Sequence, residues 1–385
     1  MEFSYWERSS FLSDIDFIVV GAGIVGFNAA LALRQAEPKA RIVVLERGAL
    51  PTGASSKNAG FACFGSASEL LDDLATRDES EVWALVAQRY DGLRQLRQLL
   101  GDDNIGYLSS GNYEVFAPKD ADLYGSCVAK LWEFNAQMLE ITGEKEVFKA
   151  CAASEIRAQG FRPQAVAELI MNRAEGQVNT GKLLRQLWKL ALQNDIDVFC
   201  GVEVKNIAFD GKNAAVETVQ LGRLCAPRLV VATNGFARQL LPNLEVSPAR
   251  NQVLVTRPLA NLALKGCFHY DRGYIYFRNL PDNRILLGGG RNLDIAGETT
   301  FDFGNTSQIM DYLQAFLRDT IALPNGGQNI EIDYCWSGIL GVGATKKPII
   351  EKVNAATTVA VRLGGMGVAI GTAVGRAAAK LALEG

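Results

Sequence analysis

The stretch DFIVVGAGIVGFNAALAL, residues 16 to 33, restricts the fold of this chain more than any other. Consecutive apolar, mostly β-branched residues run into a G-x-G-x-x-G spacing at Gly21, Gly23 and Gly26. A helical pattern follows from Ile24 to Gln35, with Pro38 just beyond its end. An unbroken apolar run reads as a buried parallel strand, since a strand with one wet face would alternate. ARIVVLERG supplies a second such strand, and the three pieces make a βαβ unit with its glycines in the first strand-to-helix turn. There the first glycine permits the tight turn, the second lets backbone meet a diphosphate, and the third lets helix and strand pack closely. The helix starting near Ile24 directs free N–H groups and a positive dipole end at the phosphate. Glu46 ends the second strand 20 residues after Gly26, where a carboxylate accepts both ribose hydroxyls of an adenosine. A 2′-phosphate would be repelled there, which disfavours NADP. The competing reading keeps the glycines for packing alone and Glu46 on a solvated turn.

The length of 385 residues suggests two or three domains. A net charge of −3 without a dense Lys/Arg stripe gives no expectation of a nucleic-acid partner. No apolar run of about 18 residues is present, so no transmembrane segment is expected. The opening MEFSYWERSSFLSD carries acids and no apolar core, unlike a signal peptide. Seven scattered cysteines show no metal-ligand spacing and read as reduced thiols of a cytoplasmic protein, with no metal site expected. The one histidine, His269, excludes a His-rich metal centre and is the single candidate imidazole base.

Helical patterns cover 68–101, 121–142, 180–193 and 306–318, while DVFCGVEVKNIAF and RLVVATNG read as strands. Between 250 and 290, NQVLVTRPL, RGYIYFRNL and NRILLGGG are β-rich segments separated by turns, the pattern of an antiparallel sheet. The tail returns to strand, glycine turn and small-residue helix. The expected fold class is α/β: a Rossmann-like nucleotide domain interrupted by an α+β substrate domain with a large, mainly antiparallel sheet. The expected boundaries are 1–85, 150–245 and 330–385 for the nucleotide domain, and 86–149 and 246–329 for the substrate domain.

The first turn serves NAD and FAD alike, because both carry adenosine diphosphate. Three later segments favour FAD. GASSKNAGF brings Ser55, Ser56 and Asn58 toward a pyrophosphate and ribityl chain, and VVATNG ends a parallel strand with Thr233, Asn234 and Gly235, where open α/β sheets meet ligands. In RLGGMGVAIG, Gly364, Gly365 and Gly367 open the last helix, whose positive end would stabilise the charge that reduced flavin develops at its N1 and C2 carbonyl edge. Close packing through small residues is the other reading of these glycines.

With these residues in order, the chain resembles the D-amino acid oxidase/glycine oxidase-type FAD-dependent oxidoreductases, the DAO family. The likeness runs through DFIVVGAGIVG, VVLERG, GASSKNAG, EGQVNTGKLLRQL, VVATNG, RILLGGG, WSGILG and GGMGVAIGTAVGR. The opening SYWE is similar to a branch that includes gamma-glutamylputrescine oxidase-like enzymes. The resemblance implies an FAD-binding domain and a substrate domain whose sheet covers the flavin. It also implies oxidation of a small-molecule amine or amino acid, with oxygen or another carrier as electron acceptor. The FAD contacts implied are Gly21, Gly23, Ile24, Gly26, Glu46, Arg47, Ser55, Ser56, Asn58, Ala59, Gly60, Val204, Thr233, Asn234, Gly235, Trp336, Gly338, Gly365, Met366, Gly367 and Val368. Related amino acid oxidases clamp the substrate carboxylate with an arginine in a Gly-Leu-Arg-Pro-like segment. The matching stretch here is GILG, with Leu340 at that position. Either Arg278, Arg291 or Lys346 replaces the clamp, or the substrate lacks an α-carboxylate. Cys335 lies near where sarcosine oxidase-like relatives place a cysteine joined to flavin; an inert core thiol is the competing reading.

Amine oxidation of this kind moves a hydride from the carbon beside nitrogen to flavin N5. The nitrogen lone pair helps expel it, so the protein supplies orientation and electrostatics more than a strong base. An alcohol donor must lose its hydroxyl proton, and an FAD-dependent 2-hydroxy acid dehydrogenase with His269 as base is the alternative enzyme. A non-catalytic flavin-binding protein is a further alternative. Tyr274, Tyr276 and Arg278 alternate along one expected strand and so share a face, able to bind a carboxylate or simply to pack the sheet. The catalytic candidates are Tyr276, Arg278 and His269, with Trp336, Met366 and Phe64 expected around the flavin.

Overall fold

The FIVV run forms the strand Phe17–Val20, with all four residues buried. It pairs in parallel with Ile42–Glu46 on one side and Arg228–Val231 on the other. The computed structural model describes residues 2–322 and 330–384. The full first sheet has the order Ile349–Lys352, Thr357–Val361, Arg228–Val231, Phe17–Val20, Ile42–Glu46, Asp197–Cys200. Its strands are parallel except for the antiparallel edge strand Ile349–Lys352.

Helices Ile24–Ala36, Glu79–Leu100 and Gly367–Leu383 cover one face of this sheet through a shared core that includes Val19, Val44, Phe27, Leu93 and Val374. Glycine sets how close they come. A Cβ on Gly26 would lie 1.8 Å from the Gly21 carbonyl oxygen, and one on Gly375 would lie 2.5 Å from that of Val25. Both contacts are shorter than any real methyl tolerates. The opposite face is covered by a small antiparallel sheet of Val204–Phe209, Ala214–Thr218 and Gly222–Ala226, which packs Val216 and Leu224 against Ile18 and Val43.

The second sheet has eight strands, in the order Ile332–Val342, Ser247–Thr256, Ile285–Gly289, Ile275–Asn279, Cys267–Tyr270, Asn112–Phe116, Glu168–Asn172, Phe148–Ala150. Neighbours are antiparallel except Cys267–Tyr270 beside Asn112–Phe116. Helix Ser307–Thr320 buries Ile309, Leu313 and Leu317 against one face, with Leu254, Phe277 and Leu287 beneath it. Among the described residues, no helix is long and apolar enough to cross a membrane.

Two expectations need correction. The helical pattern over 68–101 is two helices, Ala67–Thr76 and Glu79–Leu100, because Asp78 accepts the Ser80 N–H at 2.9 Å and starts the chain afresh. Glu168–Asn172 and Ile332–Val342 pair within the second sheet, whereas boundaries at 150 and 330 had set them with the first. An apolar run shows that a strand is buried, not which sheet it joins.

Candidate active site

A cavity of about 770 Å³ begins at the C-terminal ends of the parallel strands and reaches the second sheet. At its near end Gly21, Gly23 and Ile24 form the wall, and Ser55 Oγ accepts the Ile24 N–H at 3.0 Å. Glu46, 7% exposed, stands beside them, with its carboxylate oxygens accepting the Ala22 N–H at 3.2 Å and the Gly48 N–H at 3.0 Å. Those bonds aim the carboxylate across the strand ends, as ribose recognition requires. Arg47 and Val204 also line this end, and the Arg47 guanidinium lies 3.7 Å from the Phe236 ring centroid in a cation–π contact.

Thr233 and Asn234 stand on the wall at the end of strand Arg228–Val231. Asn234 Oδ1 accepts the Arg362 N–H at 3.1 Å, tying this strand end to the turn before the last helix. Thr233 Oγ1 is buried with no partner among the described residues, a polar atom that an extended dinucleotide would satisfy. In the middle of the cavity, Asn58, Ala59 and Gly338 face Gly365, Met366, Gly367 and Val368, which lead into and open helix Gly367–Leu383. These features fit FAD: a glycine turn for the diphosphate, a carboxylate for the ribose, an unpaired hydroxyl, and a helix N-terminus for an anionic ring edge.

Several expected contacts lie behind the wall instead. A Cβ on Gly60 would meet the Val178 carbonyl oxygen at 2.4 Å, and one on Gly235 would meet that of Leu340 at 2.3 Å; like Gly26, both are packing glycines. Ser56 Oγ donates to the Gly53 carbonyl at 3.1 Å, and Trp336 Nε1 donates to the Lys57 carbonyl at 2.9 Å, so both brace the 53–60 loop. Phe64 is fully buried against Tyr90, with ring centroids 5.6 Å apart. Cys335 is exposed and does not line the cavity, which removes the basis for a thioether to flavin.

The far end combines Tyr276 and His269 from the second sheet and Tyr274 from the turn before its strand Ile275–Asn279 with Glu69, Asp72 and Asp73 from helix Ala67–Thr76. Tyr276 is placed by Gly288 on the neighbouring strand, where a Cβ would come within 2.6 Å of its ring. Burial pushes the Tyr276 hydroxyl well above its ordinary range, so it stays protonated. Arg278 shares the face of Tyr276 but sits one strand repeat farther along, off the cavity. Its Nη1 donates to Gln177 Oε1 at 2.8 Å behind Gly60, and it is no clamp for a ligand in this cavity. Lys346 lines the cavity but is held by Asp73 at 2.9 Å and Glu69 at 3.7 Å, and Arg272 by Asp72 at 2.5 Å. Arg291 also lines this end, its guanidinium 5.9 Å from the Tyr274 ring centroid, and it forms no ion pair among the described residues. His269 Nδ1 lies 3.0 Å from Asn112 Oδ1, while Nε2 is buried without a partner among the described residues.

Sequence reasoning missed Glu69, Asn112, Glu175 and Cys63 on this wall. Cys63 Sγ lies 3.4 Å from Met366 Sδ, and burial raises its thiol well above the usual value, which makes it inert. The available signal was the alternation of polar Asn112 and Glu114, which puts both on one face of the strand in GNYEVF.

The family described as FAD dependent oxidoreductase matches residues 16–381. The bifunctional protein ThiO/ThiG of Trichormus variabilis is 25% identical over 340 residues, 87% of this chain and 47% of that protein. The chain thus spans about half the length of that relative. Glycine oxidase of Geobacillus kaustophilus is 25% identical over 284 residues, 71% of this chain and 69% of that one. The crystal structure of L-proline dehydrogenase from P. horikoshii superposes with a TM-score of 0.74 at 15% identity, covering 97% of this chain and 94% of that one. At that identity the likeness is one of fold.

Proposed function

This chain belongs to the FAD dependent oxidoreductase family, and from that premise we propose that it oxidises the carbon–nitrogen bond of an amino acid or a related amine. One observation carries the reading. Among the described residues, the far end of the cavity offers one cation without an ion pair, Arg291, and one buried ring nitrogen without a partner, His269 Nε2, which is an acceptor when the ring proton sits on Nδ1. The carboxylate and the amine of an amino acid need one of each. Arg291 takes the place of the arginine missing at Leu340, and charge-assisted hydrogen bonds from its guanidinium orient the donor.

When bound, FAD supplies the two-electron acceptor for the carbon–hydrogen bond beside nitrogen. The Gly21–Ile24 turn holds its diphosphate, Glu46 its ribose hydroxyls, and the first turn of helix Gly367–Leu383 favours negative charge on the ring. In the tautomer with its proton on Nδ1, His269 accepts an N–H of the donor at Nε2, keeping the nitrogen lone pair turned toward the reacting carbon. Tyr276 and Phe61, whose rings meet edge to face at 5.7 Å, form an apolar wall that excludes water. Oxygen or another carrier takes up the electrons, and seven free cysteines suit a reducing compartment such as the cytoplasm.

The unpartnered His269 Nε2 also favours a second reading, a 2-hydroxy acid dehydrogenase with His269 as base. Anaerobic bleaching of the flavin across amino acids, amines and 2-hydroxy acids separates the two. We expect bleaching by amino acids; bleaching by hydroxy acids alone overturns the proposal. His269→Asn should slow hydroxy-acid turnover by about 100-fold or more if His269 is a general base, and amine oxidation far less.

A further inference from the structure

Glu175 takes no part in the chemistry above, yet it is 1% exposed and three donors converge on it. Its Oε1 accepts the backbone N–H of Phe64 at 2.7 Å and of Gly65 at 3.0 Å, and its Oε2 accepts Asn112 Nδ2–H at 2.8 Å. Asn112, 2% exposed, turns its Oδ1 to His269 Nδ1 at 3.0 Å. The remaining ring nitrogen, Nε2, has no partner among the described residues, and His269 lines the cavity at 8% exposure. One hydrogen-bonded chain therefore runs from Glu175 through Asn112 and His269 to the donor's end of the cavity.

A carboxamide in the middle gives this chain a direction. With Glu175 ionised, Asn112 donates to it, Asn112 Oδ1 accepts from His269 Nδ1–H, and Nε2 presents a lone pair to the cavity. With Glu175 protonated on Oε2, its O–H donates to Asn112 Oδ1 once the amide has turned over. Asn112 Nδ2 then donates to Nδ1, and the ring proton sits on Nε2. Phe64 and Gly65 keep their bonds to Oε1 in both arrangements. Protons balance: the deprotonated state has one fewer, lost by Glu175, and the imidazole stays neutral with its proton on the other nitrogen.

We propose that Glu175 is a positioning residue that, through Asn112, sets which nitrogen of His269 carries the proton, and so whether the cavity meets an acceptor or a donor there. The inference rests on the site assigned above, not on which donor it oxidises. Burial pushes the Glu175 carboxyl up to about 8, so the exchange falls in an accessible pH range. The groups facing Glu175 are Glu69 and Arg89 from two helices, Cys63 from the preceding loop, Cys267 from the strand of His269, and Tyr107. Burial holds both thiols and the Tyr107 phenol protonated, leaving Glu69 to raise Glu175 and Arg89 to oppose it. Those facing His269 are Glu69 and Glu114, the latter opposite it on the adjacent strand.

The test is ¹⁵N NMR of the FAD-loaded enzyme labelled at its one histidine, which gives a single imidazole to read. We expect an Nε2–H ring below about pH 8 and an Nδ1–H ring above it, the two ¹⁵N shifts exchanging places. In Glu175→Gln, the new amide oxygen accepts from Phe64 and Gly65 and its nitrogen donates to Asn112 Oδ1, so the neutral ring stays Nε2–H at every pH. One unchanging tautomer in the wild type overturns the proposal, as does a switch that persists in Glu175→Gln; the wild-type titration decides the matter alone if the variant does not fold. No substrate is present, so failure here leaves the donor reading intact, and failure of the bleaching panel leaves this one intact.

Discussion

The near end of the cavity is made mostly of backbone, and the far end mostly of side chains. At the near end, Gly21, Gly23 and Ile24 come from one turn, and Glu46 lies one helix and one strand later. At the far end, Glu69, Asn112, Glu175, His269, Arg291 and Lys346 arrive from six separate places in the chain. A diphosphate and a ribose need N–H groups, a helix end and one carboxylate, all supplied by a local βαβ unit. A donor that reacts at one carbon needs a charge pattern in three dimensions, and only sheet pairing and helix packing deliver it. The near end is therefore generic and the far end specific.

Gly26→Val should produce the largest effect, because its Cβ has no space beside the Gly21 carbonyl. Flavin content of the purified protein should collapse, with affinity down at least about 100-fold, or about 3 kcal/mol. Normal flavin loading would mean that the near end does not depend on the close approach described. Glu46→Ala leaves the Ala22 and Gly48 N–H groups without their acceptor and removes the proposed ribose ligand. FAD titration by fluorescence should show affinity about 10- to 100-fold weaker, or about 1.5–3 kcal/mol, for every donor alike.

At the far end the effects should depend on the donor. Arg291→Leu should raise KM about tenfold for donors bearing a carboxylate, about 1.4 kcal/mol, and leave simple amines and FAD affinity unchanged. Equal losses for both classes would break the distinction between a binding cation and a structural one. The smallest effect belongs to Cys335→Ser, an exposed position off the cavity. Stability should change by less than about 0.5 kcal/mol, and mass spectrometry of denatured wild-type protein should show no flavin adduct.

The βαβ unit was legible because its signals are close together: an apolar run, glycines at fixed spacing and a carboxylate after the next strand. Helices Ala121–Thr142 and Thr180–Gln193 were legible from periodicity alone. Arg278 shows where this reasoning stops. Alternation placed it on the face of Tyr276, but one strand repeat of about 7 Å carried it behind Gly60, to Gln177. Trp336 and Ser56 likewise fall near the flavin region by sequence position, yet hydrogen bonds to Lys57 and Gly53 commit them to holding the loop.

By itself, then, the sequence determined the parallel sheet, the glycine turn, the carboxylate at the end of the second strand and the helix whose N-terminus faces the cavity, because each is encoded within a few dozen consecutive residues. Tertiary structure alone decided which strands joined the second sheet, which cations at the far end were paired with carboxylates and which buried carboxyl reached the lone histidine through an asparagine. Those outcomes depend on distances between segments far apart in the chain, and periodicity carries no record of distance.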